Sequence, residues 1–196
     1  MTIGLICVII EKRLTERAEA AHRKGETAVS VILIGMPSCG KSTLGVLLAK
    51  KLGYRFIDSD LLIQEREGKL LHDIIEERGI DGFLEVENTV NCGIDDHAAV
   101  ISTGGSAIYG KEEMEHFSAL GKVVYLRISF ETMQSRLGDY VHRGVVLPEG
   151  YTLLDMYRER VVLYEKYADI TVDVGAGDIA DTLERLYDEL RTAEKV

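Results

Sequence analysis

Short aliphatic and β-branched runs alternate along the chain with longer segments whose apolar residues recur every three to four positions. The runs predict strands at 29–34, 55–58, 99–102, 123–128 and 170–173. The periodic segments predict helices at 41–52, 61–67, 71–78, 82–95, 111–120, 130–137, 152–167 and 179–191. Parallel strands need a crossover between them, so this alternation implies an α/β fold in three α/β/α layers, a parallel sheet with helices on both faces. Ligands of such sheets bind at the carboxyl ends of the strands. Residues 1–28 stand apart. The apolar stretch Ile3 to Ile10 is followed by a charged, Ala-rich stretch from Glu11 to Lys24, then Gly25-Glu26-Thr27. They read as an N-terminal extension, with the main domain spanning 29–196.

Composition narrows the partners. A chain of 196 residues accommodates one sizeable domain. Its net charge of −10 and pI near 5.0 argue against a nucleic-acid partner, which selects for a basic face. A few clustered Arg and Lys still suffice for a small anionic substrate. Cys7, Cys39 and Cys92 form neither a disulfide framework nor a zinc pattern, which points to a reducing cytoplasm. The apolar stretch at 3–10 is far short of the ~20 residues that span a bilayer, and it lacks signal-peptide flanks. The expectation is a cytoplasmic protein with no membrane partner. The sequence leaves monomer and dimer equally open.

Candidate chemistry begins at Gly35-Met36-Pro37-Ser38-Cys39-Gly40-Lys41-Ser42, which fits G-x-x-x-x-G-K-[ST] without a gap and lies between a strand and a helix. Glycines let successive backbone N–H groups converge on phosphate oxygens, and the helix N-terminus adds free donors. Lys41 would reach the β- and γ-phosphates, the Ser42 hydroxyl would ligate Mg²⁺, and Thr43 completes the nucleotide-binding stretch. The implied ligands are ATP and Mg²⁺. Cys39, beside Lys41 at a helix start, is either a reactive thiol or a small loop-filling residue. At the end of the second strand, Asp58 and Asp60 are either a helix cap or a working pair. In the second reading Asp58 stands on the metal side and Asp60 orients or deprotonates a substrate hydroxyl. The third strand runs into Gly104-Gly105-Ser106, whose backbone N–H groups would meet the acceptor. A Gly-containing stretch with Arg136 and Arg143, at about 136–151, has the composition of a lid.

Together, Gly35–Ser42, Asp58-Ser59-Asp60, Thr103-Gly104-Gly105, the Arg136/Arg143 pair and Arg160-Val-Val-Leu-Tyr164 resemble the shikimate kinase family from residue 29 to about 190. The resemblance implies a compact nucleoside-monophosphate-kinase-like P-loop fold and transfer of the γ-phosphate of ATP to a hydroxyl of shikimate with Mg²⁺. It implies Lys41, Asp60 and Arg143 as catalytic residues and Arg136 as the adenine-stacking arginine. Asp60, Gly104, Gly105, Ser106 and Arg160 would bind the acceptor, Arg160 through its carboxylate, and Glu87 would support the pocket. Ser42 and Asp58 would hold the metal. Two residues depart from the family pattern on the acceptor side. Leu84 stands where the family places a second carboxylate-binding Arg, and Ser106 replaces a third glycine. A different small hydroxy acid or polyol as acceptor, or a nucleotide-binding pseudokinase, are the alternative readings.

Overall fold

The computed structural model describes residues 29–138, 147, 150–175 and 177–193; the extension at 1–28 and most of the expected lid, including Arg143, lie outside them. Five strands, β1 (Ser30–Ile34), β2 (Arg55–Asp58), β3 (Ala99–Ser102), β4 (Gly121–Arg127) and β5 (Ile170–Asp173), pair in parallel in the order β2-β3-β1-β4-β5. Between and after them run α1 (Lys41–Leu52), α2 (Ser59–Glu67), α3 (Leu71–Cys92), α4 (Lys111–Leu120), α5 (Phe130–Leu137), α6 (Leu153–Tyr167) and α7 (Ile179–Ala193). From β1 the chain steps outward to β2 and then back across to β4. Right-handed crossovers in opposite directions place helices on opposite faces. Accordingly α1 packs with α7, and α3 with α4.

Strand position explains strand composition. β1, covered on both faces, is buried at all five residues, as an aliphatic run with no polar alternation predicts. Edge strand β5 instead alternates, with Val172 buried and its neighbours Thr171 and Asp173 exposed. The main core joins β1, β3 and β4 to Leu44 and Leu48 of α1, Phe117 of α4, Tyr164 of α6 and Leu186 of α7. Local chemistry sets the helix ends. Ser129 caps α5 by accepting from the Thr132 N–H at 3.2 Å. Thr152 and Asp155 form a reciprocal capping box on α6, so that helix begins at 153 rather than 152.

Other boundaries also differ from expectation. The second helix begins at Ser59, not 61, because Asp58 caps it. The predicted helices at 71–78 and 82–95 are the two arms of α3, which meet in a kink at Gly79 (φ 72°, ψ −179°), and the second arm ends at Cys92 rather than 95. The two arms pack together, because Ile74 before the kink and Phe83, Val86 and Val90 after it bury their side chains in one cluster with Ile63 of α2. β4 starts two residues early, at Gly121, where it pairs with Ser30. Among the described residues no helix is long and apolar enough to cross a membrane.

Candidate active site

The loop from Gly35 to Lys41 joins β1 to α1 at the carboxyl end of the central strand. Its backbone alternates in hand, with Ser38 at φ 61° and Gly40 at φ 99°. This is how successive peptide N–H groups form an anion-binding nest. Gly40 is the N-cap residue of α1 and makes no side-chain cap, so the helix N-terminus is left to whatever binds in the loop. Lys41 is nearly buried. Its Nζ donates to the Gly35 carbonyl at 2.8 Å and the Met36 carbonyl at 3.1 Å, which holds the ammonium within the loop.

At the end of β2, Asp58 makes two contacts. Its Oδ1 accepts from the Asp60 N–H at 3.1 Å and so caps α2, while its Oδ2 accepts from the Ser42 hydroxyl at 2.7 Å. Ser102, at the end of β3, places its hydroxyl 3.3 Å from that of Ser42. The donor set is therefore hydroxyl and carboxylate oxygen beside the phosphate loop. Among the described residues no group of three or more His, Cys, Asp or Glu is placed to hold a metal. Few protein oxygens, completed by water and phosphate, suit Mg²⁺, and Ser42 and Asp58 fit it.

Asp60, in the first turn of α2, is pushed up to about 6. Burial is the main cause, the neighbouring Asp58 charge adds to it, and Lys41 opposes it. Behind it lies the Thr103–Ser106 turn. Gly104 does not offer its N–H to the cavity, because that group donates to the Ser59 hydroxyl at 3.2 Å. What Gly104 supplies is close approach. A Cβ there would stand 2.2 Å from Glu87 Oε1 and 2.9 Å from Asp60 Oδ1. Gly104→Ala is therefore expected to displace both carboxylates, costing about 1–3 kcal/mol of stability and at least ~10-fold in kcat, as thermal melting and steady-state kinetics would read. Ser106 adopts φ −99°, a conformation open to any residue, so the loss of a glycine there strains nothing. Its hydroxyl donates to Glu87 Oε2 at 2.6 Å.

Arg160 projects from α6 and is 1% exposed. Its Nε donates to the Tyr109 hydroxyl at 3.3 Å, and its guanidinium lies 5.4 Å from the centre of that ring. Tyr164, one turn on, donates to the Gly105 carbonyl at 2.8 Å and stacks on Tyr125. Tyr164 of α6 thus braces the glycine turn and Tyr109 the guanidinium, and neither lines the cavity.

These parts surround one cavity of about 330 Å³, lined by Pro37, Ser38 and Gly40–Thr43 of the phosphate loop, by Asp60, by Thr103–Ser106 and by Arg160, with Leu71 and Phe83 as its apolar wall. Among the described residues, the sequence-predicted donor and acceptor residues are brought together there, apart from six. Gly35, Met36 and Cys39 form the loop but not the lining, and the Cys39 side chain is fully buried. Asp58 stands behind Ser42. Leu84 also lies outside the lining: it is partly buried and packs against the Ile63–Phe83 cluster, so the apolar wall is made by its neighbour Phe83 and by Leu71. Arg136, at the end of α5, is engaged elsewhere, its Nη2 donating to the Gly175 carbonyl at 3.0 Å. Leu71 and Tyr109 carried no signal in the sequence. One reads as a helix start and the other as an aromatic after a turn, and only the fold sets them beside Asp60 and Arg160.

The geometry has clear counterparts among known proteins. The family model for shikimate kinase matches residues 37–191. A shikimate kinase of Clostridium botulinum is 36% identical over 163 residues, covering 81% of this chain and 95% of that protein. A shikimate kinase of Vibrio cholerae is 33% identical over 166 residues, covering 82% and 95%. The solved structure of shikimate kinase from Acinetobacter baumannii in complex with shikimate superposes with a TM-score of 0.80 at 30% identity, covering 89% of this chain and 98% of that one. With its phosphate loop and cavity built on a domain that the family model and these relatives match along nearly its whole length, the chain belongs to the shikimate kinase family.

Proposed function

We propose that the protein transfers the γ-phosphoryl group of MgATP to a hydroxyl of shikimate. The supporting observation is that one cavity is bordered by both the phosphate loop with Lys41 and an acid–guanidinium pair, Asp60 and Arg160, suited to a hydroxylated carboxylate. In this reading the loop N–H groups and Lys41 bind the phosphates. Ser42 and Asp58 would hold magnesium, which would supply charge neutralisation at the phosphate oxygens. Asp60 accepts the hydrogen bond of the acceptor hydroxyl and aligns it for in-line attack. Arg160 pairs with the acceptor carboxylate, and Leu71 and Phe83 exclude water from one side of the ring. Arg143 would complete the charge stabilisation from the lid.

Leu84 favours a second reading. With an aliphatic side chain packed into the α2–α3 cluster, the described residues bring one guanidinium, that of Arg160, to the lining, so an acceptor acid related to shikimate fits the same groups. Steady-state ADP release from MgATP, with shikimate and then with a panel of small hydroxy acids, separates the two. The expected result is saturable shikimate-dependent turnover. Saturation by another hydroxy acid, with shikimate inert, would transfer the assignment to that acid.

A further inference from the structure

Glu87, on α3, is fully buried. Its Oε2 accepts from the Ser106 hydroxyl, but its Oε1 has no hydrogen-bond partner. A buried carboxylate oxygen left without a donor is costly, and native structures rarely tolerate one. The side chain three residues earlier on the same helix, Leu84, is aliphatic and lies in the apolar cluster. The unpartnered oxygen stands beside Gly104. The same would-be Cβ position that lies 2.2 Å from it lies 2.9 Å from Asp60 Oδ1, so the two oxygens are within about 5 Å, a range at which both carboxyls ionise only at a cost.

The charges around Glu87 come from every neighbouring element: Asp60 from α2, Glu113 from α4, Arg160 from α6 and Lys41 from α1. Burial is the largest influence and pushes the Glu87 carboxyl up. The Ser106 hydrogen bond opposes this, Asp60 reinforces it, and Arg160 and Lys41 draw it back. Glu113, also buried, is pushed up by burial and by Glu87, and accepts from the Asn91 amide.

We infer that Glu87 is a neutral positioning residue whose Oε1–H donates to Asp60 Oδ1, while Ser106 donates to Oε2 and so fixes which oxygen carries the proton. One hydrogen bond then satisfies the buried oxygen and restrains the Asp60 carboxylate, whose other oxygen is left for the acceptor hydroxyl. Gly104 is what lets the two acids approach. The inference builds on the proposed role of Asp60, and its first test needs no acceptor. Infrared spectra of the full chain at neutral pH should show the carbonyl stretch of neutral carboxylic acids. Glu87→Gln should remove one such component, and Glu113→Gln should remove a different one. An unchanged spectrum in Glu87→Gln would overturn the inference whatever the protein phosphorylates. The second test uses whichever acceptor supports turnover. Glu87→Gln, whose amide donates in the same direction, should keep kcat within about threefold of the natural protein. It should also lose the fall in kcat on the alkaline side that follows Glu87 ionisation. Glu87→Ala should lose about tenfold or more in kcat with the dissociation constant of MgATP unchanged. A Gln variant as impaired as the Ala variant, while melting at the natural temperature, would mean that a charged Glu87 is required and would equally overturn it.

Discussion

Asp60→Asn lowers kcat about 10³-fold while leaving the dissociation constant of MgATP within about twofold, because the substitution removes the acceptor-side base and nothing on the donor side. The separation follows from the local geometry. The cap on α2 uses the Asp60 backbone N–H rather than its side chain, so the helix start survives. Asp58, which receives both that N–H and the Ser42 hydroxyl, is untouched. An amide is isosteric with the carboxylate, so the cavity keeps its volume, and replacing an acid raised by burial with a neutral group leaves folding intact or slightly improved. Calorimetric titration with MgATP and single-turnover phosphoryl transfer measure the two halves independently. Wild-type transfer in Asp60→Asn would remove this residue from the reaction.

Lys41→Met is expected to fail on the other side of the cavity, with kcat reduced at least ~10³-fold and MgATP bound more weakly. An ammonium held inside a phosphate loop acts in a largely water-excluded setting, where its charge on the β/γ oxygens is worth far more than at a surface. The substitution also leaves the Gly35 and Met36 carbonyls without the donor they have at 2.8 and 3.1 Å. A melting temperature a few degrees lower is expected from those lost bonds, about 1–3 kcal/mol in all. Initial-rate kinetics over a range of ATP, beside a thermal melt, distinguish the two effects. A variant that is destabilised but turns over normally would show that Lys41 serves the loop and not the phosphates.

The donor half of the site was legible because its chemistry is contiguous. Eight residues in a row, between a buried strand and a helix, carry the turn, the donors, the ammonium and the hydroxyl, and local sequence suffices to describe them. The acceptor half is assembled from α2, α3, the turn after β3 and α6. There the sequence indicated residue types at the right places but not what each one does. Asp58 is a cap and a Ser42 partner at once, which neither reading of an acid pair at a strand end contained. The Gly104 N–H is committed to Ser59, so that glycine serves for the space it leaves and not for the donor it offers. Leu84 was recognisable as a departure, but its side chain turns into the α2–α3 cluster, and the cavity wall is made by Phe83 and Leu71.

The fold class followed from the sequence alone, because strand burial and helix periodicity are local patterns and alternation of the two leaves few arrangements. Strand limits at 55–58, 99–102 and 170–173 and the helix at 41–52 are where apolar runs and glycine stops put them. The break in α3 at Gly79 was legible in the sequence, but how its two arms pack was decided only in three dimensions. Gly79 stops the first arm locally, and it is the apolar residues on either side of it that share one cluster with Ile63 and hold the two arms together. The meeting of Asp60, Glu87 and Ser106 around Gly104 was decided the same way. Residues 60, 87, 104 and 106 carry no shared spacing, and it is the packing of α2 and α3 against the end of β3 that brings two acids and a hydroxyl together.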